Sequence, residues 1–309
     1  MQAIVYQKSD KTFSLKTLPD PVPADNQLLI RVEAVSLNAA DYRTMQLGSI
    51  PKHGIFGADV TGLVIGVGPG CTRFKEGDAV MADLSGAGFG GLGNLVAVSE
   101  SLVSFRPSTL PPEQAACLPL AGVTALQALR DKAHLEPGSS VLIVGASGGV
   151  GTLAIQIARH SGAIVSAVCS TRHVQTVSDL GASKVFDYST TDWTTTKTRY
   201  DVILAVNGNH PLRTYYRHLK PGGTCVVIGG SYSQIFRSLL FGWLWSFGSR
   251  AIRPHMAKPN AEDLDFLSNL AGSGHLKPVI DTILPLEKTA EGFERIRHGH
   301  AAGKVVIRM

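Results

Sequence analysis

Residues 140–160 constrain the fold more than any other stretch of this chain. The branched apolar run VLIV (141–144) stops at a glycine. Glycines then recur at three-residue steps (Gly145, Gly148, Gly151), and the apolar positions of GTLAIQIARH (151–160) follow helical spacing. A buried strand that turns through glycine into an amphipathic helix is the opening of a βαβ unit. The alternation continues through IVSAVCS, HVQTVSDLGA, KVFDY, YDVILAV, TYYRHLKPGG and TCVVIGG, ending at residue 230. Strands and helices taking turns predict an α/β domain: a doubly wound Rossmann sheet of parallel strands with helices on both faces.

Residues 1–105 have another texture. MQAIVY, QLLIRVEAVSL, VTGLVIGVG and DAVMADL are short, rich in branched residues and punctuated by Gly, Pro, Asn and Asp. They read as a mostly β sandwich or partly open barrel. SGAGFGGLGNL (85–95) reads as a mobile loop, and helical spacing begins near residue 110. The tail, 286–309, predicts one helix and a closing strand. At 309 residues the chain is long enough for two domains.

The glycines carry the first functional argument. Gly145 permits a tight turn, a residue without Cβ at Gly148 or Gly149 lets backbone N–H groups approach a pyrophosphate, and Gly151 lets the helix pack close to the sheet. With Val150, these residues open a helix whose unpaired N–H groups and partial positive charge face the anion. The end of the next strand reports which dinucleotide is held. NAD enzymes place an acid there, on the ribose 2′-OH. This chain has Ser170, Thr171, Arg172 and His173 instead. A guanidinium pairs with a 2′-phosphate that a carboxylate repels, so NADPH is expected over NADH. Ligands of doubly wound sheets lie over the carboxyl ends of strands. Val206 and Asn207, and Ile228, Gly229 and Gly230, are therefore expected cofactor walls.

Composition bounds the partners. A net charge of +5 with no basic run excludes a nucleic-acid tract and suits weak attraction for a phosphorylated cofactor. Cys71, Cys117, Cys169 and Cys225 are far apart, which reads as buried thiols in a reducing, cytoplasmic compartment. The first residues lack the layout of a secretory signal. The apolar run IFRSLLFGWLWSFGS (235–249) is shorter than the ~20 residues that span a bilayer and contains Arg237. It reads as a buried helix, a subunit contact or a lid, with an interfacial membrane helix as the other alternative.

The motifs VEAVSLNAADYR, GADVTGLVIGVG, GDAVMA, AACLPLAGVTALQAL, GASGGVG, LKPGGTCVVIGG and GHAAGKVVIRM together resemble the medium-chain dehydrogenase/reductase family, in its zinc-free quinone oxidoreductase branch. The resemblance implies a GroES-like domain from residues 1–120 and 258–309, with a Rossmann domain, 121–257, inserted between them. It also implies a homodimer and an active site in the interdomain cleft. Zinc-bearing relatives place ligands where this chain has Asn38, Ala58 and Leu120. Neither Ala nor Leu can ligate, and Asn suits zinc poorly, so no metal is expected.

The same resemblance sets Asn38 beside the nicotinamide or substrate as a donor, with loop-pinning as its alternative. Tyr42 is a candidate proton or hydrogen-bond donor, with ordinary packing as the other role. Thr124 is implied at the nicotinamide end, Tyr188 beside the adenosine phosphate, and Lys304 at the cleft edge or on the surface. His173 stands where NADPH-using relatives often carry Lys. The stretch after Gly230 is similar to chloroplast-envelope quinone oxidoreductase-like and mitochondrial reticulon-interacting relatives. Phe241, Trp243 and Trp245 are expected there as an apolar cap or dimer contact. Without a Lewis acid, the implied substrate is a small, apolar, electron-poor quinone or α,β-unsaturated carbonyl. An enoyl-thioester reductase and an NADPH-binding, membrane-associated scaffold are the alternatives.

Overall fold

The computed structural model describes residues 1–230, 236, 238, 240, 242, 248–299 and 301–309. The chain divides into two compact units. One joins Met1–Val123 to Lys258–Met309, and the other is Thr124–Ala257. Phe241, Trp243 and Trp245, the aromatic residues expected to form a cap, lie outside the described residues.

Seven strands precede the glycine turn: β1 (Gln2–Gln7), β2 (Thr12–Thr17), β3 (Gln27–Leu37), β4 (Asp59–Val67), β5 (Ala79–Asp83), β6 (Leu95–Ser99) and β7 (Val103–Phe105). Among the described residues, six more lie between residues 140 and 254: β8 (Ser140–Val144), β9 (Ile164–Cys169), β10 (Lys184–Asp187), β11 (Tyr200–Ala205), β12 (Leu219–Val227) and β13 (Ala251–Pro254). The tail adds β14 (Ile280–Pro285) and β15 (Lys304–Arg308).

In the first unit the sheet order is β14-β15-β3-β4-β5-β7, with β6 paired to β3 and β1-β2 as a separate ribbon. Strand β15 runs antiparallel to β3, with Val305 opposite Leu37. The last strand thus joins the sheet built by β3 to β7. This is the GroES-like mostly β domain. Its core centres on Phe56, Ile30, Leu28 and Val35, each fully buried. Phe13 of β2 stacks on Phe293 of helix Thr289–Arg297 at 5.1 Å between ring centroids, tying the tail helix to the first strands. The glycine-dense loop expected at 85–95 is partly pinned: the Gly91 and Leu92 N–H groups donate to the Gly57 and Phe56 carbonyls.

In the second unit all five pairings are parallel, in the order β10-β9-β8-β11-β12-β13. The run 141–144 is buried throughout, as expected of a strand covered by helices on both faces. One element differs from its sequence pattern. TYYRHLKPGG carries helical spacing, yet the helix stops at Arg217 and strand β12 already begins at Leu219. The Pro-Gly-Gly step is absorbed where the β11–β12 register shifts between Tyr200 and Val202. Among the described residues, no helix is long and apolar enough to cross a membrane. Cys117, Cys169 and Cys225 are buried free thiols, and burial pushes Cys117 up to about 12 and Cys169 to about 11.

Candidate active site

Strand order in the second unit reverses between β8 and β11, the point at which a doubly wound sheet opens a crevice above its carboxyl ends. Gly145 ends β8 with φ +86°, and a Cβ there would stand 2.9 Å from the Asn207 backbone nitrogen. Only glycine fits that conformation and that approach. A Cβ on Gly151 would stand 2.3 Å from the Gly145 carbonyl oxygen, so the helix packs directly on the turn. Helix Gly149–His160 begins at Gly148, which has no side chain to cap it. A Cβ on Gly148 would meet nothing closer than 3.7 Å. The helix N-terminus is thus backbone alone with space before it, a cradle suited to a diphosphate.

The other expected walls lie along the same edge. The Val206 and Asn207 N–H groups donate to Val144, and those of Ile228 and Gly229 donate to Ala205. These bonds staple the ends of β8, β11 and β12 into one ledge, and Gly230 follows with φ +120°. Ser170, exposed Arg172 and half-buried His173 gather beyond the end of β9. Tyr188, exposed beyond β10, donates its N–H to Cys169. Asp187 ends β10 directly opposite Cys169. The Thr171 hydroxyl, with the Ser189 N–H, holds its carboxyl below the usual range. A carboxylate therefore lies beside the end of β9 even though β9 itself lacks one. Thr124 is buried in helix Pro119–Gln127.

Of the expected residues of the first unit, Asn38 and Lys304 belong to one buried polar cluster. Asn38, just past β3, donates through Nδ2 to the Ser36 carbonyl at 3.1 Å and to Asp59 Oδ2 at 2.8 Å. Its Oδ1 accepts from Lys304 Nζ. Both amide hydrogens are directed at protein acceptors, and Asn38 thereby ties the end of β3 to the start of β4. Lys304 is not a surface charge: it is 5% exposed, and its ammonium also reaches Asp59 Oδ2 at 3.2 Å. Asp59 Oδ1 accepts from the Leu120 N–H at 2.8 Å. Asp41 caps the helix after Asn38, accepting from the Asn38 and Gly57 N–H groups at 2.9 Å each. Tyr42 is half-buried against the core, and its hydroxyl accepts from Gln46 on the same helix.

Sequence reasoning missed Asp59 and Asp83 as members of this cluster. Cross-strand register sets Ser36 opposite Asp59, and Asp59 opposite Asp83. Acids interrupting the apolar runs GADVTG and VMADL are the signal that was available. Ser36 Oγ and Asp83 Oδ2 are buried without a hydrogen-bond partner. Desolvation lifts Asp41 to about 7 against two backbone N–H groups that lower it, and desolvation with the Asp59 charge lifts Asp83 to about 7.

These shifts predict a stability profile. Between the unfolded value of 3.8 and the folded value near 7, the folded chain binds more protons than the unfolded one. Stability is therefore full at low pH and falls as pH rises through this window, by up to about 1.4 kcal/mol per pH unit for each group. The melting temperature is expected to drop from pH 5 to pH 8, and Asp83→Asn should flatten that slope. A melting temperature that climbs over this interval would contradict the assignment.

A family profile described as "Alcohol dehydrogenase GroES-like domain" matches residues 24–107, and one described as "Zinc-binding dehydrogenase" matches residues 180–307. The chloroplast envelope quinone oxidoreductase homolog of Arabidopsis thaliana is 34% identical, over 94% of this chain and 92% of that protein. The chain belongs to the medium-chain dehydrogenase/reductase family, in its quinone oxidoreductase-like branch. This medium-chain reductase is also similar to the NADPH-dependent alkenal/one oxidoreductase of the Arabidopsis thaliana chloroplast, at 31% identity over 93% of this chain and 73% of that one. Among solved structures, the quinone oxidoreductase from Coxiella burnetii superposes with a TM-score of 0.84 at 28% identity, covering 100% of this chain and 98% of that one. The chain is thus an oxidoreductase of this family.

The donor sets can be tested against the groups the family implies. The glycine cradle fits a dinucleotide, on the Cβ distances above. The three positions named for zinc do not fit that ion: Ala58 has no ligating atom, Leu120 offers only a backbone N–H already given to Asp59, and the Asn38 amide is engaged.

Proposed function

We propose that this medium-chain reductase uses NADPH to reduce a quinone or an α,β-unsaturated carbonyl, without zinc. The glycine cradle at the strand-order reversal carries this reading, because it sets an uncapped helix N-terminus at the crevice where doubly wound sheets take a dinucleotide. The similarity to a quinone oxidoreductase homolog and to an alkenal/one oxidoreductase supports the acceptor class. When bound, the dinucleotide supplies a hydride from nicotinamide C4.

The chain's own residues bind and orient. Backbone N–H groups of Gly149, Val150 and Gly151 hold the diphosphate, which the missing Cβ of Gly148 lets approach. Ser170, Arg172, His173 and Tyr188 surround the 2′-phosphate, while Val206, Asn207, Ile228, Gly229 and Gly230 wall the remainder, with Thr124 at the nicotinamide end. Asn38 acts through the groups it holds and is a positioning residue, and Tyr42 is a hydrogen-bond donor to substrate.

Arg172 decides the choice of cofactor in this scheme. Arg172→Ala removes a charge-assisted contact of about 1.5–3 kcal/mol. The NADPH dissociation constant is expected to rise about 10- to 100-fold, with little change for NADH, in a fluorescence titration. Equal loss for both cofactors would remove the 2′-phosphate argument.

Turnover is tested by following NADPH absorbance with a naphthoquinone, a short enone and a crotonyl thioester. Consumption with the quinone or enone is the expected result. Consumption with the thioester alone would make the chain an enoyl-thioester reductase, and tight binding with no consumption would make it a scaffold.

A further inference from the structure

The strands of the second unit are all parallel, so their first residues share one edge, opposite the edge that carries the glycine cradle. That amino-terminal edge is strongly basic where β11, β12 and β13 begin. The stretches 196–201, 216–223 and 248–251 contain Lys197, Arg199, Arg217, Lys220 and Arg250 against the single acid Asp201. Four of the chain's net five positive charges are thus gathered at three neighbouring strand starts, which lie within about 10 Å of one another across the sheet. Backbone bonds hold these stretches together: the Tyr200 N–H donates to the His218 carbonyl at 2.8 Å, and the Gly222 N–H donates to the Ser249 carbonyl. The one acid is already engaged, because Asp201 Oδ2 accepts from Lys220 Nζ at 2.8 Å and from the Ser140 N–H and hydroxyl at 2.8 and 2.7 Å. Lys197, Arg199 and Arg217 are exposed and have no ion-pair partner among the described residues. Arg217 ends helix Leu212–Arg217, where a cation is ordinary. Lys197, Arg199 and Arg250 lie outside helices and gain nothing from such a dipole.

We propose that this basic edge, with Lys197, Arg199, Arg217, Lys220 and Arg250, docks the protein on the surface of an anionic lipid bilayer. Clustered cations are drawn to the phosphate and carboxylate headgroups of such a surface. A bilayer fits better than another polyanion because apolar groups accompany the charges. Ile164, the first residue of β9, stands on the same edge two strands from β11 and is 59% exposed. Arg250 lies over the half-buried Tyr216 ring at 5.2 Å from its centroid. In sequence, the apolar run 235–249, with Trp243 and Trp245, leads directly into Arg250. Apolar and aromatic residues beside cations suit the boundary between headgroups and acyl chains, where buried apolar area and charge attraction add. Docking there leaves the cofactor cradle in water. Strand β11, six residues long, separates the two edges by about 20 Å. The inference is independent of which acceptor the reductase takes.

The test is co-flotation of the whole chain with vesicles of phosphatidylcholine and phosphatidylserine, against vesicles of phosphatidylcholine alone. Wild type is expected to float with the anionic vesicles only, and salt above physiological strength should release it. Each neutralised cation should weaken binding about fivefold, so Arg199→Gln with Arg217→Gln should weaken it about 25-fold. Both side chains are exposed, so the melting temperature of this variant should match wild type. A second variant, Arg172→Gln with Arg213→Gln, removes the same charge from exposed positions that follow the carboxyl ends of β9 and β11. Its vesicle binding should stay within about twofold of wild type, since the edge and not the net charge is what docks. Wild type that fails to float with anionic vesicles, or floats equally with neutral ones, would overturn the proposal. Equal weakening in the two variants would overturn it as well, because net charge alone would then explain binding. Binding to polyglutamate or to a DNA duplex without binding to vesicles would give the edge another kind of partner and refute the lipid assignment.

Discussion

Gly151→Ala is expected to lower dinucleotide affinity at least about 100-fold and to lower the melting temperature as well. The added methyl would stand 2.3 Å from the Gly145 carbonyl oxygen, 2.7 Å from Ala146 Cα and 2.8 Å from Ala146 C. All three are backbone atoms, so no side chain can swing aside. Relief requires helix Gly149–His160 to move off β8, which takes its N-terminal N–H groups out of line with the turn. Forcing a methyl into such a contact costs about 1–3 kcal/mol or more in stability. The affinity loss of about 2.7 kcal/mol, two factors of ten, comes from the misplaced donors. Gly148→Ala is the control for packing alone: its methyl would meet no atom closer than 3.7 Å, so its melting temperature should match wild type. Fluorescence titration with NADPH and thermal melts decide the matter. A Gly151→Ala protein that binds within about threefold of wild type would show that the turn does not hold the diphosphate.

Asp59→Ala is expected to destabilise the chain by about 3–5 kcal/mol, because it strands a buried cation. The carboxylate takes the Lys304 ammonium and an Asn38 N–H on one oxygen and the Leu120 N–H on the other. Its loss leaves all three donors short of an acceptor in a site that excludes water. Asp59→Asn keeps an acceptor and should cost less. Urea denaturation measures both, and a loss under about 1 kcal/mol for Asp59→Ala would mean that water or another group replaces the carboxylate. The same substitution removes the charge that raises Asp83, so the fall in stability between pH 5 and 8 should also become shallower.

Legibility followed sequence separation. The strand, turn and helix of 140–160 were readable because every requirement is local: branched residues for a covered strand, glycine at φ +86°, and apolar spacing for one helix face. The boundary at Leu219 was not, because the same residues satisfy a helical pattern until pairing with β11 claims them. Arg172 and the missing acid of β9 were legible, whereas Asp187, which brings a carboxylate to Thr171 from the next strand, was visible only once β10 lay beside β9.

The amino-acid order alone determined the α/β class, the glycine cradle and the family, since periodicity and backbone freedom are properties of short stretches. Tertiary structure alone decided what Asn38 and Lys304 touch. They meet across 266 positions. Whether an amide is free to donate depends on which groups the folded sheet brings within 3 Å of it. No local pattern encodes that, because hydrogen-bond partners in a sheet that pairs β15 with β3 are chosen by strand order.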